Sequence, residues 1–329
     1  MPKFRVPSGG EALFDIVSYG RGGPRENGGR LTHEQVEQIR RTVKRTPEVM
    51  VKVLPRASND LKAAANHLDY ISRYGGLELE TDSGLGLQDE RGMALLEEWD
   101  LDIDDARRQT ALAGTQGRTP AKLVHKLMFS MPAGTPPDKV LTAVRNLARE
   151  EFWGQHRYAF VLHTDEDHPH VHLVLKAMNE QGVRLNIRKA KLRHWRSEFA
   201  KNLRQLGVPA NATERAVRGQ DRKSAKDGIF RASLRGASSH VRERVESVAA
   251  ELSRGNIRIE QGKSALLTTR ENVKHGWRAT TDRLVEGGHR QLADEVLKFI
   301  ERMSEPQTDR EWIATGLSDS SREKPPRVR

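Results

Sequence analysis

Cysteine is absent from this sequence, and its absence excludes disulfides, thiolate metal ligands and cysteine nucleophiles together. Long apolar runs are also absent, so we expect no membrane span. The opening residues, MPKFR, lack the apolar segment of a secretory signal. These absences predict a cytoplasmic protein, and the 329 residues allow one domain of ordinary size plus an appendage.

Positive charge is what the sequence has in excess. The formal net charge is +11 and the pI is about 9.9. Most of the surplus lies in residues 188–235, which hold 14 lysines and arginines against four acids. Such a segment indicates either a solvated helix face or a track for the phosphates of a nucleic acid. The cluster of histidines that precedes this segment favours the second interpretation.

The chain divides into four predicted parts. Residues 1–47 are rich in glycine and predict a lightly structured arm with one short helix from Thr32. Residues 48–225 contain the clearest strands and predict a catalytic domain. Residues 226–317 predict a helical C-terminal region, and residues 318–329 predict a disordered tail.

Strands and helices alternate within the predicted catalytic domain. The predicted strands cover 49–54, 77–79, 123–131, 157–163 and 170–177. The predicted helices cover 59–73, with Ser58 or Asn59 as the N-cap, and 89–99, 104–112, 137–151 and 189–206. This order predicts an α+β domain whose largely antiparallel sheet carries helices on one side.

Three histidines fall on one predicted hairpin. His170 and His172 are two residues apart in a strand, so their side chains share a face. His163 ends the preceding strand, and an antiparallel hairpin brings it beside His170. Three imidazoles in one patch indicate a divalent metal site with open positions for a phosphate, the alternative being structural histidines. Magnesium or manganese suits phosphate chemistry, with zinc as the alternative.

A tyrosine on the first predicted helix of this domain is a candidate attacking oxygen. At 100° per residue Tyr70 lies opposite Leu61 and the apolar stripe that Leu61 begins, on the side of Arg73. An aromatic residue in such a position packs on a neighbouring element or presents its hydroxyl to a phosphate. Periodicity alone leaves both interpretations open.

Four separated segments resemble the motifs of one family. They are NHLDYISR at 66–73 followed by GLEL at 76–79, FSMPAGT at 129–135, HTDEDHPHVH at 163–172 and ATERAVRG at 212–219. In this order they resemble the motifs of plasmid-mobilisation relaxases, in particular the P-type group that includes the T-DNA border nickase, within the HUH endonucleases. The resemblance spans about residues 49–220.

The resemblance assigns roles to particular residues. It implies that Tyr70 is the nucleophile and that the three histidines hold the metal. It also implies that Asp167 or Asp165 in the hairpin loop orients a ligand or helps to deprotonate the tyrosine. Tyr74 is a second hydroxyl expected near the same helix face. The implied fold is a ferredoxin-like palm with a central antiparallel sheet.

The implied activity is site- and strand-specific nicking of a transfer origin, with a 5′-phosphotyrosyl adduct left for conjugative transfer between bacteria. The implied partners are single-stranded or melted origin DNA, accessory origin-binding proteins and a secretion coupling protein, and transfer of the protein to a recipient cell is compatible with this. The predicted DNA contacts are Arg73 and four residues of the basic segment, Lys189, Lys191, Arg193 and Arg196.

Three alternatives use the same residues differently. A hydrolytic metal-dependent nuclease would replace the tyrosine by water, and a rolling-circle replication initiator would act on a different origin. A non-enzymatic basic DNA-binding protein would use its histidines structurally. Substitution of Tyr70, a change of origin DNA and chelation of metal separate these alternatives in turn.

Overall fold

A computed structural model describes residues 30–54, 60–84, 86–87, 92–112, 121–220, 239–255 and 258–322. The described residues between 44 and 212 form one compact unit, and those at 30–43 and 213–322 form a second. In these described parts, no helix combines the length and the apolar character that crossing a membrane requires.

The first unit is built on a six-stranded sheet. Its strands are β1 Met50–Val53, β2 Leu79–Thr81, β3 Gly86–Leu87, β4 Val124–Ser130, β5 Tyr158–His163 and β6 His170–Lys176. Across the sheet the order is β1-β4-β6-β5-β2-β3, and all neighbouring strands are antiparallel. The α+β class with a central antiparallel sheet is confirmed.

Helices occupy both units. The helices of the first unit are α2 Leu61–Ile71, α3 Gly92–Glu98, α4 Leu101–Leu112, α5 Pro137–Phe152 and α6 Lys189–Gln205. The second unit has α1 His33–Val43, a 3₁₀ turn Ala216–Arg218, α7 Ser239–Ser253, α8 Lys263–Glu286, α9 Arg290–Glu301 and α10 Asp309–Arg322.

The sheet is covered on both faces, so the expectation of helices on one side is wrong. Phe129, Phe160 and Leu173 belong to one buried cluster together with residues of α5 and α6. Ala159, Val161 and Val174 alternate with that set and belong to a second cluster with residues of α2 and α3. Successive residues of β5 and β6 point to opposite faces of the sheet, and apolar residues lie on both faces. Each face therefore needs its own covering elements.

The start of α2 also differs from the expectation. Ser58 and Asn59, the predicted N-caps, lie outside the described residues, and Asp60 caps the helix instead. Its backbone is extended, and its side chain accepts a hydrogen bond of 2.6 Å from the backbone N–H of Ala63. A carboxylate in this position satisfies a free N–H of the first turn and suits the positive end of the helix dipole.

The second unit has a core of its own. Ile39 of α1 packs with Trp277 of α8 and Val296 of α9. The indole Nε1 of Trp277 donates a hydrogen bond of 2.8 Å to the carbonyl oxygen of Val217 in the 3₁₀ turn. The predicted helix from Thr32 is therefore confirmed, but it is part of a packed core.

The boundaries of the parts differ from those predicted. Residues 1–29 of the predicted arm lie outside the described residues, whereas 30–43 belong to the second unit. The division after the sheet falls at residue 212 rather than 225, because Val217 is buried in the core of the second unit. Of the predicted disordered tail, residues 318–322 are helical in α10, and residues 323–329 lie outside the described part.

Candidate active site

The hairpin of β5 and β6 brings the three histidines together. His163 is directly opposite His170 across the strand pair, and Val161 is opposite His172. All three side chains lie on the face covered by α2, because Val171 and Leu173 alternate with them and belong to the opposite core. The sequence prediction of a shared patch agrees with this arrangement.

The three rings form a compact triangle. Their centroids are separated by 4.8 Å, 5.1 Å and 5.2 Å, and one nitrogen from each ring lies within 4.8 Å of the others. His163 and His170 are buried and His172 is partly buried. Nitrogens at such distances can share one divalent ion, and the donor set leaves positions for phosphate oxygens.

The surroundings of His172 and His163 favour uncharged imidazole rings. Burial lowers the pKa of His172 to about 3, and the neighbouring His163 and His170 add to the effect. Burial also lowers the pKa of His163, although its hydrogen bond to a backbone carbonyl acts in the opposite sense. A neutral ring is the form that offers a lone pair to a metal.

The helix that carries Tyr70 ends against this patch. The Nε2 of His163 donates a hydrogen bond of 2.6 Å to the carbonyl oxygen of Ile71, the last residue of α2. Tyr70 precedes Ile71 and is 55% exposed, so it is off the apolar stripe, as periodicity predicted. A histidine of the triad therefore contacts the residue that follows the candidate nucleophile.

Arg73 joins the tyrosine to the hairpin loop. Its guanidinium carbon lies 5.3 Å from the centroid of the Tyr70 ring, and its Nη2 forms an ion pair with Asp165. A hydrogen bond with Tyr70, supported by the charge of Asp165, raises the pKa of Arg73 above its usual value. Asp165 is in turn 3.9 Å from the Nδ1 of His163. The loop carboxylate, the arginine, the tyrosine and the triad thus form one connected group.

The two loop acids are not equivalent. Asp165 makes the contacts just described, whereas Asp167 is exposed and has no hydrogen bond or ion pair with the triad within the described residues. Of the two candidates that the resemblance offered, Asp165 is the one that the structure brings to the histidines.

Tyr74 is not on the helix face where it was expected. Helix α2 ends at Ile71, and both Arg73 and Tyr74 have positive φ angles, of 54° and 55°. The chain has left the helix at that point, so spacing of four residues no longer means a shared face. Tyr74 is 82% exposed.

The basic helix is not part of this patch. Helix α6 packs on the face of the sheet opposite the histidines. Lys189 is exposed at its start, Lys191 lies over the ring of Trp195 at 5.7 Å, and the Nη2 of Arg196 donates to the carbonyl oxygen of Val51. Arg193 is exposed on the same helix. Trp195 is fully buried, which agrees with a role in the core. The predicted contacts on α6 and the triad therefore lie on opposite faces of the sheet.

Two residues near the triad were missed in the sequence. His67 is one turn before Tyr70 on α2, and its ring lies edge-on to that of His172, with 6.1 Å between centroids. Burial, aided by the charge of Lys126, lowers the pKa of His67 to about 4. Lys126 is buried on β4, its Nζ donates to the carbonyl oxygen of Ala63, and burial lowers its pKa to about 8. The spacing of His67 from Tyr70 was an available signal, but nothing local marks Lys126.

Known proteins resemble the part of the chain that holds the triad. Residues 86–207 match the family described as Relaxase: MobA/VirD2-like, nuclease domain. The matched range contains all three histidines and begins after Tyr70. The T-DNA border endonuclease VirD2 of Rhizobium radiobacter is 26% identical in an alignment of 194 residues, with 52% of this chain and 43% of that protein covered. VirD2 of Agrobacterium fabrum is 26% identical over 193 residues, with 52% and 41% covered. The chain spans about two fifths of the length of these relatives.

Solved structures give a weaker likeness. The MobM relaxase domain bound to plasmid pMV158 oriT DNA, a Mn-bound crystal structure, aligns at 13% identity with a TM-score of 0.37. The alignment covers 57% of this chain and 98% of that domain.

Proposed function

We propose that this chain is a relaxase of the HUH class, a proposal supported by the family match over residues 86–207. We propose further that it nicks one strand of DNA by transesterification, with Tyr70 as the nucleophile. The supporting observation is the hydrogen bond from His163 to the carbonyl oxygen of Ile71. It ties the end of the tyrosine-bearing helix to the three imidazoles. A nucleophile and a phosphate-binding centre must be held together in this way for an attack to be oriented.

The proposed step exchanges one phosphoester for another. The oxygen of Tyr70 attacks the phosphorus, the bond from phosphorus to the 3′ oxygen breaks, and the leaving oxygen takes up a proton to become a 3′ hydroxyl. The tyrosine proton passes to a base. Asp165 is the candidate base, because its contacts with Arg73 and His163 place it in the same group of side chains as Tyr70. Because the phosphotyrosyl bond keeps the energy of the phosphodiester, the reverse step can rejoin the strand.

Positive charge from the chain supports this step. The guanidinium of Arg73 lies beside the Tyr70 ring, where it would neutralise charge that develops on the oxygens of a phosphate under attack. A divalent cation held by His163, His170 and His172, with manganese or magnesium favoured over zinc, would supply further charge neutralisation at the phosphate. Uncharged rings at His163 and His172 fit such an ion.

The proposed substrate is unpaired DNA at a transfer origin, because an exposed tyrosine at the end of a helix can reach a phosphate whose strand is free to bend. The excess of positive charge supports a polyanionic partner. The proposed context is plasmid mobilisation or conjugative transfer, with accessory origin-binding proteins and a secretion coupling protein as partners.

Paired tyrosine variants test the proposal. Tyr70→Phe should abolish nicking of single-stranded origin DNA and the covalent adduct, because the attacking oxygen is lost. Tyr74→Phe is the matched control, four residues away and more exposed, and should keep both. Nicking that survives in Tyr70→Phe would instead support a hydrolytic nuclease. Loss of nicking only in Tyr74→Phe would identify Tyr74 as the nucleophile.

A further inference from the structure

Each ring of the triad has a second nitrogen whose partner decides which nitrogen keeps its lone pair. In His163 the Nε2 donates to the carbonyl oxygen of Ile71 at 2.6 Å, so the lone pair is on Nδ1. In His170 the Nδ1 donates to the carbonyl oxygen of His168 at 3.0 Å, so the lone pair is on Nε2. Backbone carbonyls therefore fix the tautomers of two of the three rings.

His172 has no such carbonyl. Its Nδ1 is buried and has no hydrogen-bond partner among the described residues. The Nε2 of His67 is buried and lacks a partner in the same part of the chain. The two rings are neighbours, with centroids 6.1 Å apart and planes inclined by 80°. Two polar atoms buried without partners would each cost free energy, so their proximity calls for an explanation.

We infer that His67 is a positioning residue, which holds His172 in its metal-binding tautomer through one bridging water. With their ring centroids 6.1 Å apart, the two rings are too far from each other for a direct hydrogen bond, and a single water is the shortest bridge between them. The Nδ1–H of His172 donates to the water, and the water donates to the Nε2 of His67. The Nε2 of His172 then keeps its lone pair for the ion. The inference rests on the proposed metal site and assigns His67 a role in it.

His67 is not itself a ligand in this arrangement. The ligand atoms of His163, His170 and His172 lie within 4.8 Å of one another, and His67 is not in that set. Because His67 is on α2, its proposed contact with His172 would also hold this helix in place. His163 contacts the end of this helix and His172 would contact its middle, so two rings of the triad fix the helix that carries Tyr70.

Manganese titration of the full chain tests the inference. The probe is Mn²⁺ alone, followed by isothermal titration calorimetry at neutral pH. His67→Phe keeps a ring of similar size without nitrogens, and we expect the Kd for Mn²⁺ to rise by roughly 10- to 100-fold. His67→Gln restores a polar group that can meet the water, and we expect most of the affinity to return.

A control and a second readout separate positioning from folding. His125 is a buried histidine on the opposite face of the sheet, so His125→Phe should leave the Kd for Mn²⁺ unchanged. ¹⁵N spectra of the wild-type protein should show the proton of His172 on Nδ1. Because this measurement uses the wild-type protein, its result does not depend on whether a variant folds. A proton on Nε2 overturns the inference.

The outcomes also separate this inference from the proposed function. If the wild-type protein binds Mn²⁺ and His170→Ala does not, the metal site stands, and equal Kd values for wild type and His67→Phe overturn the role of His67 alone. If wild type and His170→Ala bind Mn²⁺ alike, the metal site is wrong and the role of His67 is wrong with it.

Discussion

Arg73 is held in a backbone conformation that few side chains adopt. Its φ angle is 54°, and that of Tyr74 is 55°, in a left-handed region that costs an L-residue roughly 1 kcal/mol or more. The strained turn carries a guanidinium that lies over Tyr70 and is paired with Asp165. Strain maintained beside a candidate nucleophile is consistent with a role in the chemistry.

Replacement of this guanidinium should impair catalysis more than binding. We expect Arg73→Lys to reduce the nicking rate by roughly 100-fold, because an ammonium cannot stack on the ring and pair with a carboxylate in one planar arrangement. Arg40→Lys is a matched control, since Arg40 has similar exposure and a single ion pair, with Glu37. Single-turnover nicking measures the effect, and equal rates for wild type and Arg73→Lys would exclude Arg73 from the mechanism.

Buried histidines predict a loss of stability in acid. Burial lowers the pKa of His125 to about 4, below the ordinary value of 6.5. The unfolded chain therefore takes up a proton first as the pH falls from 6.5 towards 4, and the free energy of unfolding decreases over that window, by roughly 2 to 3 kcal/mol for this residue. Above pH 6.5 both states are neutral and this contribution is constant.

His125→Phe should remove this part of the pH dependence. Urea unfolding of the metal-free protein at pH 7 and pH 4.5 should show a smaller loss of stability in the variant than in wild type, whatever their difference at pH 7. His168→Phe, at an exposed position, should show the same loss of stability between pH 7 and pH 4.5 as the wild-type protein. Parallel pH profiles for wild type and His125→Phe would contradict the assignment.

At the scale of elements, what the sequence predicts depends on whether the determining contacts are local. Their residue composition identified β5 and β6, and the turn between them was enough to predict that His163 lies beside His170, as the pairing of the two strands shows. The pair of Arg73 and Asp165 joins residues 92 positions apart, and no local pattern reports it. The same holds for the cover of the sheet, because strand periodicity shows that a face is apolar but not which helix lies on it.

Gly92 is where α2 and α3 touch, and this contact is the element-level prediction. A methyl group at Gly92 would lie 2.5 Å from the carbonyl oxygen of Ala65 and 2.7 Å from the Cβ of Leu68, both on α2. The N–H of Gly92 also donates to the Asp69 side chain at 2.6 Å. We therefore expect Gly92→Ala to lower the free energy of unfolding by roughly 1 to 3 kcal/mol. Nicking should decrease as well, because α2 carries Tyr70.

A helical glycine with open space provides the comparison for Gly92. Gly316 lies in α10, and nothing is within 4 Å of a Cβ built there, so Gly316→Ala should be neutral or slightly stabilising. Chemical unfolding of both variants measures the difference. A Gly92→Ala protein as stable and as active as wild type would mean that the two helices are not packed as described.

At the scale of the whole molecule, the net charge can be predicted from the sequence, whereas the division into two units cannot. The excess of positive charge is read directly from composition, and it predicts a polyanionic partner. The division into units cannot be read from the sequence in this way, because α1 precedes the sheet in the chain but is buried with α8 and α9. Apolar residues such as Val36 and Ile39 mark a buried helix without indicating its partner.

The position of α6 makes the salt dependence of DNA binding informative. If DNA passes the edge of the sheet to α6, Lys189→Gln combined with Lys191→Gln should weaken binding. The slope of log K against log salt should decrease by roughly 1.4, because two phosphate contacts on a single strand are lost. Lys298→Gln, at an exposed position of the second unit, should leave the slope unchanged. Fluorescence anisotropy with labelled single-stranded DNA gives the slopes. An unaltered slope in the double variant would exclude α6 from the DNA path.

The most direct measurement for the account as a whole is the chemical identity of the DNA attachment. Labelled single-stranded origin DNA would be incubated with the wild-type protein and Mn²⁺, the protein digested, and the nucleotide-bearing peptide sequenced by mass spectrometry. We predict one adduct, a 5′ phosphate esterified to Tyr70. Cleaved DNA with a free 5′ phosphate and no adduct, or an adduct on Tyr74, would contradict the proposed nucleophile.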